Sequence, residues 1–226
     1  MFSLENFNKF HLLLKDNINN FEIKYKNESR FMWILSKILF FNDFNKFVTT
    51  INSTVYFPSK ESVSENIRES FAILAHEYVH AKDAKKINFL IFSFLYLFPQ
   101  ILFLPTIIFS IYFHYLFILC FILLLPIPAY FRMIFERRGY IMTLYMLNEF
   151  LKKTSVSKEK RKQILYAKAE FIDNNYFKGW SYYKMWPPGI LNYLKLKIDD
   201  MLEEQILDYK CFYFKEVQEA FDKSTL

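Results

Sequence analysis

The segment His76-Glu77-x-x-His80 has the residue types and the spacing of a metal-binding helix. Histidines four residues apart lie on one face of an α-helix, one turn from each other, so both imidazoles can bind the same zinc ion. Glu77, beside the first histidine, can then take a proton from a water molecule that the ion activates. The chain has only 4 histidines, so this pattern rarely arises by chance. It predicts zinc-dependent hydrolysis with Glu77 as general base; the alternative is a helix whose histidines bind no metal.

A catalytic zinc ion needs a third protein ligand as well as an open position for water. In elongated HExxH motifs a glycine and then a third ligand follow directly, but Asp83 and Lys86 occupy those positions here. Glu136, just after a long apolar run, is the best distant carboxylate. Gly139, one of only 3 glycines, follows Glu136 by three residues and would let the two helices approach closely. The alternative role for Glu136 is pairing with neighbouring arginines.

Three further residues are candidates for supporting the chemistry. Asp83 shares a helix face with both histidines, where it can accept a hydrogen bond from an imidazole or pair with a nearby lysine. Tyr182 and Tyr183 lie in an aromatic loop over residues 176–189. A tyrosine there can donate a hydrogen bond to the oxyanion that forms at a scissile carbonyl, and packing is its alternative role. A di-iron carboxylate site is excluded because the chain has no second Glu-x-x-His.

The elements that must position these residues begin before the motif. Ser62 is followed three residues later by Glu65, the spacing of a capping box, so we predict one helix from Ser62 through Asp83. Residues 47–51 and 54–57 are rich in β-branched and aromatic residues, and Asn-Ser separates them, which predicts a short β-hairpin. One of its strands is placed to lie along an extended substrate.

The remaining parts of the chain are predicted to be mainly helical. Within residues 1–46, the stretch 29–41 has an apolar face that fits either a membrane surface or a protein core. After the apolar run, a long helix is expected to continue to about Lys153. A basic turn over residues 158–162 and further helices ending near Phe221 are expected to follow.

The apolar run over residues 87–131 contains none of the 29 basic or 23 acidic residues of the chain. An uncharged run of about 18 residues or more is typical of a membrane span, and this run has room for two. Lysines precede it and arginines follow it, so the positive-inside rule places both of its ends in the cytoplasm. We therefore predict a two-helix transmembrane hairpin that returns Glu136 to the side of the histidines. The alternative is that both helices pack inside a larger soluble assembly.

The composition of this 226-residue chain limits the remaining possibilities. Hydrophobic residues make up 53% of it and aromatic residues 21%, which excludes a disordered protein. The 2 cysteines lie far apart in the sequence, which excludes a disulfide framework and a cysteine-ligated zinc site. The net charge of +6 is scattered along the chain, which favours a membrane surface over nucleic acid. The N-terminus lacks the basic and apolar regions of a signal peptide.

The motif and its surroundings resemble a known family. HExxH over residues 76–80 with a downstream Glu136 is similar to the gluzincin zinc metallopeptidases, and an apolar hairpin between them is similar to the membrane-embedded CAAX-prenyl-protease type. The resemblance covers roughly residues 47–145. It implies that the two motif histidines and Glu136 are zinc ligands and that Glu77 is the general base. The family usually has Glu-x-x-Ala-Asp at the third ligand; Tyr140 stands at the aspartate position and is a candidate for contact with the ligands or the oxyanion.

These patterns predict a mainly α-helical protein with a small β-hairpin, a zincin-like metal-binding helix and a two-helix transmembrane hairpin. Three parts are expected: residues 1–86 with the HExxH helix, 87–131 as the hairpin, and 132–226 completing the zinc site. The predicted function is a Zn²⁺-dependent, membrane-bound metallopeptidase whose partners are the lipid bilayer and a peptide or protein substrate. The alternative is a noncatalytic, membrane-anchored assembly protein of a phage or bacterium, with a structural or degenerate metal site.

Overall fold

Helices make up most of the structure, a computed structural model that describes residues 2–39, 44–98, 130–177, 190–204 and 213–225. Nine α-helices lie in these ranges: α1 Leu4–Lys15, α2 Arg30–Leu39, α3 Lys60–Glu65, α4 Ile67–Ile87, α5 Phe89–Leu97, α6 Tyr130–Lys153, α7 Lys158–Ile172, α8 Ile190–Leu202 and α9 Phe214–Thr225. One sheet is formed by three short strands: β1 Glu22–Tyr25, β2 Thr49–Ile51 and β3 Thr54–Phe57. The prediction of a mainly α-helical chain with a small β element is confirmed.

The sheet has the strand order β1-β3-β2, so β3 lies in the middle. Strands β2 and β3 form the predicted antiparallel hairpin, and Asn52 in its turn has a φ of 56°, a conformation that asparagine tolerates better than most residues. Strand β1 pairs in parallel with β3, with Glu22 opposite Thr54. It lies in a region predicted to be helical, and that prediction is wrong for these residues. A four-residue strand whose partner is distant in sequence gives little local signal.

The helix that carries the HExxH motif begins later than predicted. Ser59 is the N-cap of α3, and its hydroxyl accepts a hydrogen bond from the Ser62 backbone N–H at 3.2 Å. The Ser62 hydroxyl accepts from the Ser59 N–H in return, also at 3.2 Å. Helix α3 ends at Glu65, and Asn66, with a non-helical backbone, separates it from α4. The single helix predicted from Ser62 is therefore two helices, and the cap of the first is Ser59, one turn earlier than predicted.

The core lies between α4 and α6, which pack against each other more extensively than any other described pair of helices. Phe71 of α4 is the centre of an aromatic cluster in which the rings of Phe10, Phe150 and Phe221 lie 5.0, 5.7 and 6.0 Å away. These rings come from α1, α6 and α9, and all are buried. Removing one fully buried phenylalanine side chain typically costs about 3–5 kcal/mol. The cluster therefore holds α4 and α6 together close to the HExxH motif.

The prediction of an integral membrane protein, with both hairpin ends in the cytoplasm, is wrong. Within the described ranges, no helix has both the length and the apolar character needed to cross a membrane. Helix α4 continues to Ile87, and α5 is only 9 residues long, about 14 Å against the roughly 30 Å of a hydrocarbon core. The absence of charge in a segment does not show how long its helices are. Here α4 ends and α5 begins on either side of Asn88, inside the uncharged run. Residues 99–129, the rest of the predicted hairpin, lie outside the described residues.

The C-terminal part agrees with the prediction in outline. Helix α6 ends at Lys153, as expected. The basic residues 158–162 form the first turns of α7 instead of a turn between helices, because the Ser157 hydroxyl caps that helix. The last helix extends to Thr225. Residues 178–189 of the predicted aromatic loop lie outside the described residues.

Candidate metal centre

Three buried side chains meet where α4 packs against α6. His76 and His80 project from α4 one turn apart, and Glu136 projects from the first part of α6. Their exposed fractions are 8%, 7% and 6%. The structure thus brings together the three residues that the sequence nominated as ligands.

The polar atoms of these residues point at one another. His76 Nε2 lies 3.0 Å from His80 Nε2 and 3.5 Å from Glu136 Oε2, and His80 Nε2 lies 4.0 Å from Glu136 Oε1. One ligand atom from each residue lies within 4.8 Å of the others. Two imidazole nitrogens and a carboxylate are a donor set that suits zinc and other divalent transition metals. This buried His-His-Glu group can bind a metal ion.

Gly139 allows the two helices to come this close. It is buried on α6, one turn after Glu136, directly against the His76 ring. A Cβ atom at this position would lie 2.5 Å from His76 Nε2, a distance at which one of the two groups must move. The predicted close approach at Gly139 is therefore present in the structure.

The other nitrogen of His76 is held by a hydroxyl group. His76 Nδ1 lies 3.2 Å from Thr143 Oγ1. The Thr143 hydroxyl donates its own hydrogen to the carbonyl oxygen of Gly139, also at 3.2 Å, so its oxygen must accept from His76. We therefore assign the Nδ1–H of His76 as the donor to Thr143. A neutral His76 then has Nε2 free to bind an ion, the arrangement in which a neighbouring group selects the tautomer of a ligand.

The two imidazoles have different affinities for a proton. Burial lowers the pKa of His80 to about 3, and the nearby His76 adds to this, so His80 is neutral. Burial acts in the same direction on His76, but the hydrogen bond to Glu136 and the negative charges of Glu77 and Glu136 outweigh it and raise the pKa. His76 is thus the histidine that holds a proton, and a metal ion at the centre would replace it.

Glu136 is held in its charged form. Burial alone would raise the pKa of Glu136, but the hydrogen bond from His76 and the charges of both histidines lower it to about 2. The hydroxyl of Tyr96, on α5, also donates a hydrogen bond to Glu136 Oε1. A charged carboxylate that faces two imidazole nitrogens is well suited to binding a cation.

Glu77, the predicted general base, lies beside the three candidate ligands. Its side chain is only partly buried, unlike those of the two histidines. Burial raises the pKa of Glu77, while the neighbouring His76 and the Thr50 side chain of β2 act in the opposite direction. The charge of Glu136 also raises it. The carboxylate is therefore close to the cluster and to the edge of the sheet, and its role in catalysis stays a prediction.

Asp83 has a different partner from those considered in the sequence. Its carboxylate, 3% exposed, accepts from the Arg138 guanidinium at 2.9 Å and from the Tyr213 hydroxyl at 3.2 Å. Burial raises the pKa of Asp83, and Arg138 only partly offsets this. The residue therefore ties α4 to α6, with a further bond to the residue just before α9. It supports the centre through helix packing.

The three tyrosine candidates have different outcomes. The Tyr140 ring lies edge-on to the His76 ring, with centroids 4.9 Å apart, so Tyr140 contacts a candidate ligand. Tyr182 and Tyr183 lie outside the described residues. Of these three candidates, Tyr140 is therefore the one that lies at the centre.

Two residues at the centre were not anticipated from the sequence. Thr143 follows Glu136 by seven residues, and Gly139 and Tyr140 lie between them at helical spacing, so one face of α6 was available as a signal. Tyr96 lies within the apolar run, which was interpreted as a transmembrane hairpin, so its side chain was not considered as a part of the site. Its partner Glu136 belongs to another helix, so no local pattern identifies the contact.

Comparison with known proteins adds no assignment of family or fold. No protein-family model, curated protein or solved structure matches the chain. The resemblance to the gluzincins accordingly stays a prediction from the motif, and the candidate metal centre rests on its own geometry.

Proposed function

We propose that this chain is a zinc-dependent metallopeptidase in which His76, His80 and Glu136 hold the ion and Glu77 is the general base. The observation that carries the proposal is the buried cluster of the two HExxH histidines with a glutamate from a second helix, whose ligand atoms lie within 4.8 Å of one another. Two histidines and one carboxylate are an established ligand set of catalytic zinc. The similarity of the motif to that of the gluzincins favours the same function.

The chemistry divides between the ion and the side chains around it. A bound zinc ion would lower the pKa of a water molecule and polarise the carbonyl group of the substrate. Glu77 would accept the proton of the attacking water and deliver it to the departing amine. Because burial raises the pKa of Glu77, its carboxylate is a stronger base than an exposed one. Thr143 would keep the His76 ring oriented with Nε2 toward the centre.

An extended peptide is the substrate class that fits the surroundings. In the described sheet, β2 pairs only with β3, so its second edge has main-chain groups available for another strand. Thr50 of this strand lies near enough to Glu77 to lower its pKa. A peptide that added to the β2 edge would therefore run close to the proposed base.

The direct test combines metal analysis with a hydrolysis assay. Protein purified without chelator should contain about one zinc ion per chain, and it should cleave peptides from an unstructured protein substrate such as casein. Glu77→Gln should retain the zinc and lose hydrolysis by at least about a hundredfold, because general-base catalysis typically contributes 10²–10⁴-fold. Glu69→Gln is the matched control, since Glu69 is an exposed residue on the same helix.

Two results would count against the proposal. Protein that contains no zinc after this purification and also binds none when zinc is added would exclude the metal centre. Hydrolysis that survives in Glu77→Gln would exclude the assigned base even if zinc is present.

A structural metal site is the second candidate function. The burial of all three ligands favours it, because structural zinc sites are closed whereas catalytic sites keep a position open for water. In that case zinc would raise the melting temperature of the wild type and of Glu77→Gln equally, and neither protein would hydrolyse peptides.

A further inference from the structure

Helix α5 folds back over the metal centre. Asn88 reverses the chain after α4 with a positive φ of 90°, which asparagine adopts more often than most other residues. Its side chain then caps α5 by accepting a hydrogen bond from the Leu90 N–H at 2.9 Å. The helix packs against both α4 and α6, the two helices that carry the candidate ligands. Its aromatic side chains are thereby brought to the centre.

Tyr96 of α5 is held there by several contacts. Its hydroxyl donates a hydrogen bond to Glu136 Oε1. Its ring stacks on the Phe92 ring at 5.8 Å and lies edge-on to the His80 ring at 6.1 Å. The guanidinium of Arg132, one turn before Glu136 on α6, lies 4.7 Å from the centre of the Tyr96 ring, within the range of a cation–π contact. These contacts fix both the ring and the direction of the hydroxyl.

The two oxygens of the Glu136 carboxylate have different surroundings. Oε1 accepts the hydrogen of Tyr96 and lies 4.0 Å from His80 Nε2. Oε2 lies 3.5 Å from His76 Nε2, the closest approach of this carboxylate to an imidazole nitrogen. The Tyr96 hydroxyl therefore occupies one oxygen and leaves the other directed at the histidines.

We infer that Tyr96 is a positioning residue of the metal centre, which selects Oε2 of Glu136 as the single oxygen that binds the ion. The inference rests on the proposed metal-binding function. A carboxylate that binds through one oxygen leaves a position free for water, which a catalytic zinc site requires. A carboxylate that binds through both oxygens takes up that position. Groups that hydrogen-bond to metal ligands typically contribute 10–100-fold to metal affinity.

The test uses Tyr96→Phe, which keeps the ring contacts and removes only the hydroxyl. Two quantities are measured on the purified protein: its zinc affinity, by competition with a chromogenic chelator, and the visible absorption spectrum after loading with Co²⁺. The spectrum reports the coordination of the ion and does not depend on activity. We expect a zinc affinity about 10–100-fold lower than in the wild type and a weaker Co²⁺ absorption, as coordination by both Glu136 oxygens would produce.

Tyr166→Phe is the matched control. The Tyr166 hydroxyl also donates to a carboxylate, that of Asp199, at 3.0 Å from each oxygen, but on helices α7 and α8, which carry none of the proposed ligands. Neither measurement should change in this variant.

The outcomes separate this inference from the proposed function. A wild type that binds both ions, together with unchanged affinity and spectrum in Tyr96→Phe, would overturn the positioning role alone. A lower affinity with an unchanged Co²⁺ spectrum would also overturn it, because a packing defect explains that result. A wild type that binds neither ion would overturn the proposed function and, with it, this role.

Discussion

Gly139 and His76 are so close that no side chain fits between α6 and the imidazole. A Cβ atom at Gly139 would lie 2.5 Å from His76 Nε2 and 2.6 Å from its Cε1. A glycine inside an α-helix costs about 1 kcal/mol relative to alanine, and Gly139 lies in the interior of the 24-residue α6. What the glycine provides despite this cost is the close approach of the helices, which lets Glu136 lie beside His76. Backbone packing therefore forms part of the candidate metal centre.

We predict that Gly139→Ala weakens zinc binding by at least tenfold. The added methyl group must displace the His76 ring, and overpacking of this kind costs about 1–3 kcal/mol, of which better helix propensity restores about 1 kcal/mol. Chelator competition measures the zinc affinity, and urea denaturation should show a net loss of about 1 kcal/mol. In a His76→Ala background the clash is absent, so the same substitution should stabilise the protein. A cost that persists in that background would contradict the explanation.

We predict that Thr143→Val lowers zinc affinity by about 10–100-fold, the usual effect of removing a partner of a metal ligand. Valine preserves the shape of threonine but cannot accept the Nδ1–H of His76, so the ring loses the contact that selects its tautomer. Thr143→Ser keeps the hydroxyl and is the control. Equal affinities of the valine and serine variants would show that the hydroxyl has no role in orienting His76.

Part of the centre could be predicted from the sequence because it is local. The HExxH spacing places His76 and His80 on one helix face whatever the rest of the fold does, and the structure has both at the centre. Glu136 was selected by two arguments. The first was that glycine is scarce in this chain, so Gly139, three residues after Glu136, pointed to a close helix contact, which the structure contains. The other argument, that two membrane crossings return Glu136 to the histidines, is not supported by any described helix.

The residues that the sequence could not identify have partners on other helices. Tyr96 reaches Glu136 only because Asn88 turns α5 back onto α6, and Arg138 reaches Asp83 only because α4 and α6 pack at this register. Strand β1 is similar, since it exists through its pairing with β3. Such contacts depend on tertiary packing, which hydrophobic periodicity and local motifs do not encode.

We predict that Arg138→Gln destabilises the protein by about 3 kcal/mol at pH 7, because it leaves a buried carboxylate without its ion pair. Asp83 would retain only the Tyr213 hydroxyl as a hydrogen-bond donor among the described residues. Urea denaturation measures the loss. The double variant Asp83→Asn, Arg138→Gln removes both charges and should recover most of the stability.

The loss in Arg138→Gln should depend on pH. Burial raises the pKa of Asp83 in the folded protein, so the folded state binds this proton more tightly than the unfolded state. The contribution of Asp83 to the free energy of unfolding therefore falls as the pH rises from the pKa of Asp83 in the unfolded state to its higher pKa in the folded state. Removing Arg138 raises the pKa further, so the variant should lose more stability at pH 7 than at pH 4. An equal loss at both values would mean that the charge of Asp83 is not the cause.

Zinc affinity should fall about tenfold for each pH unit below the pKa of His76. The hydrogen bond to Glu136 and the charges of Glu77 and Glu136 outweigh burial and raise the pKa of His76 above its ordinary value, so this ligand is protonated in mild acid. Burial lowers the pKa of His80 to about 3, and that of Glu136 is about 2, so neither holds a proton at pH 5.

Because metal ions bind only deprotonated ligands, zinc must displace one proton from this set between about pH 5 and pH 6.5. Chelator competition over that range measures the slope of log affinity against pH, and calorimetry in two buffers of different ionisation enthalpy counts the protons released. A slope near two would mean that His80 is also protonated and that its burial does not hold it neutral. A slope near one would identify His76 as the single site where the proton and the metal compete.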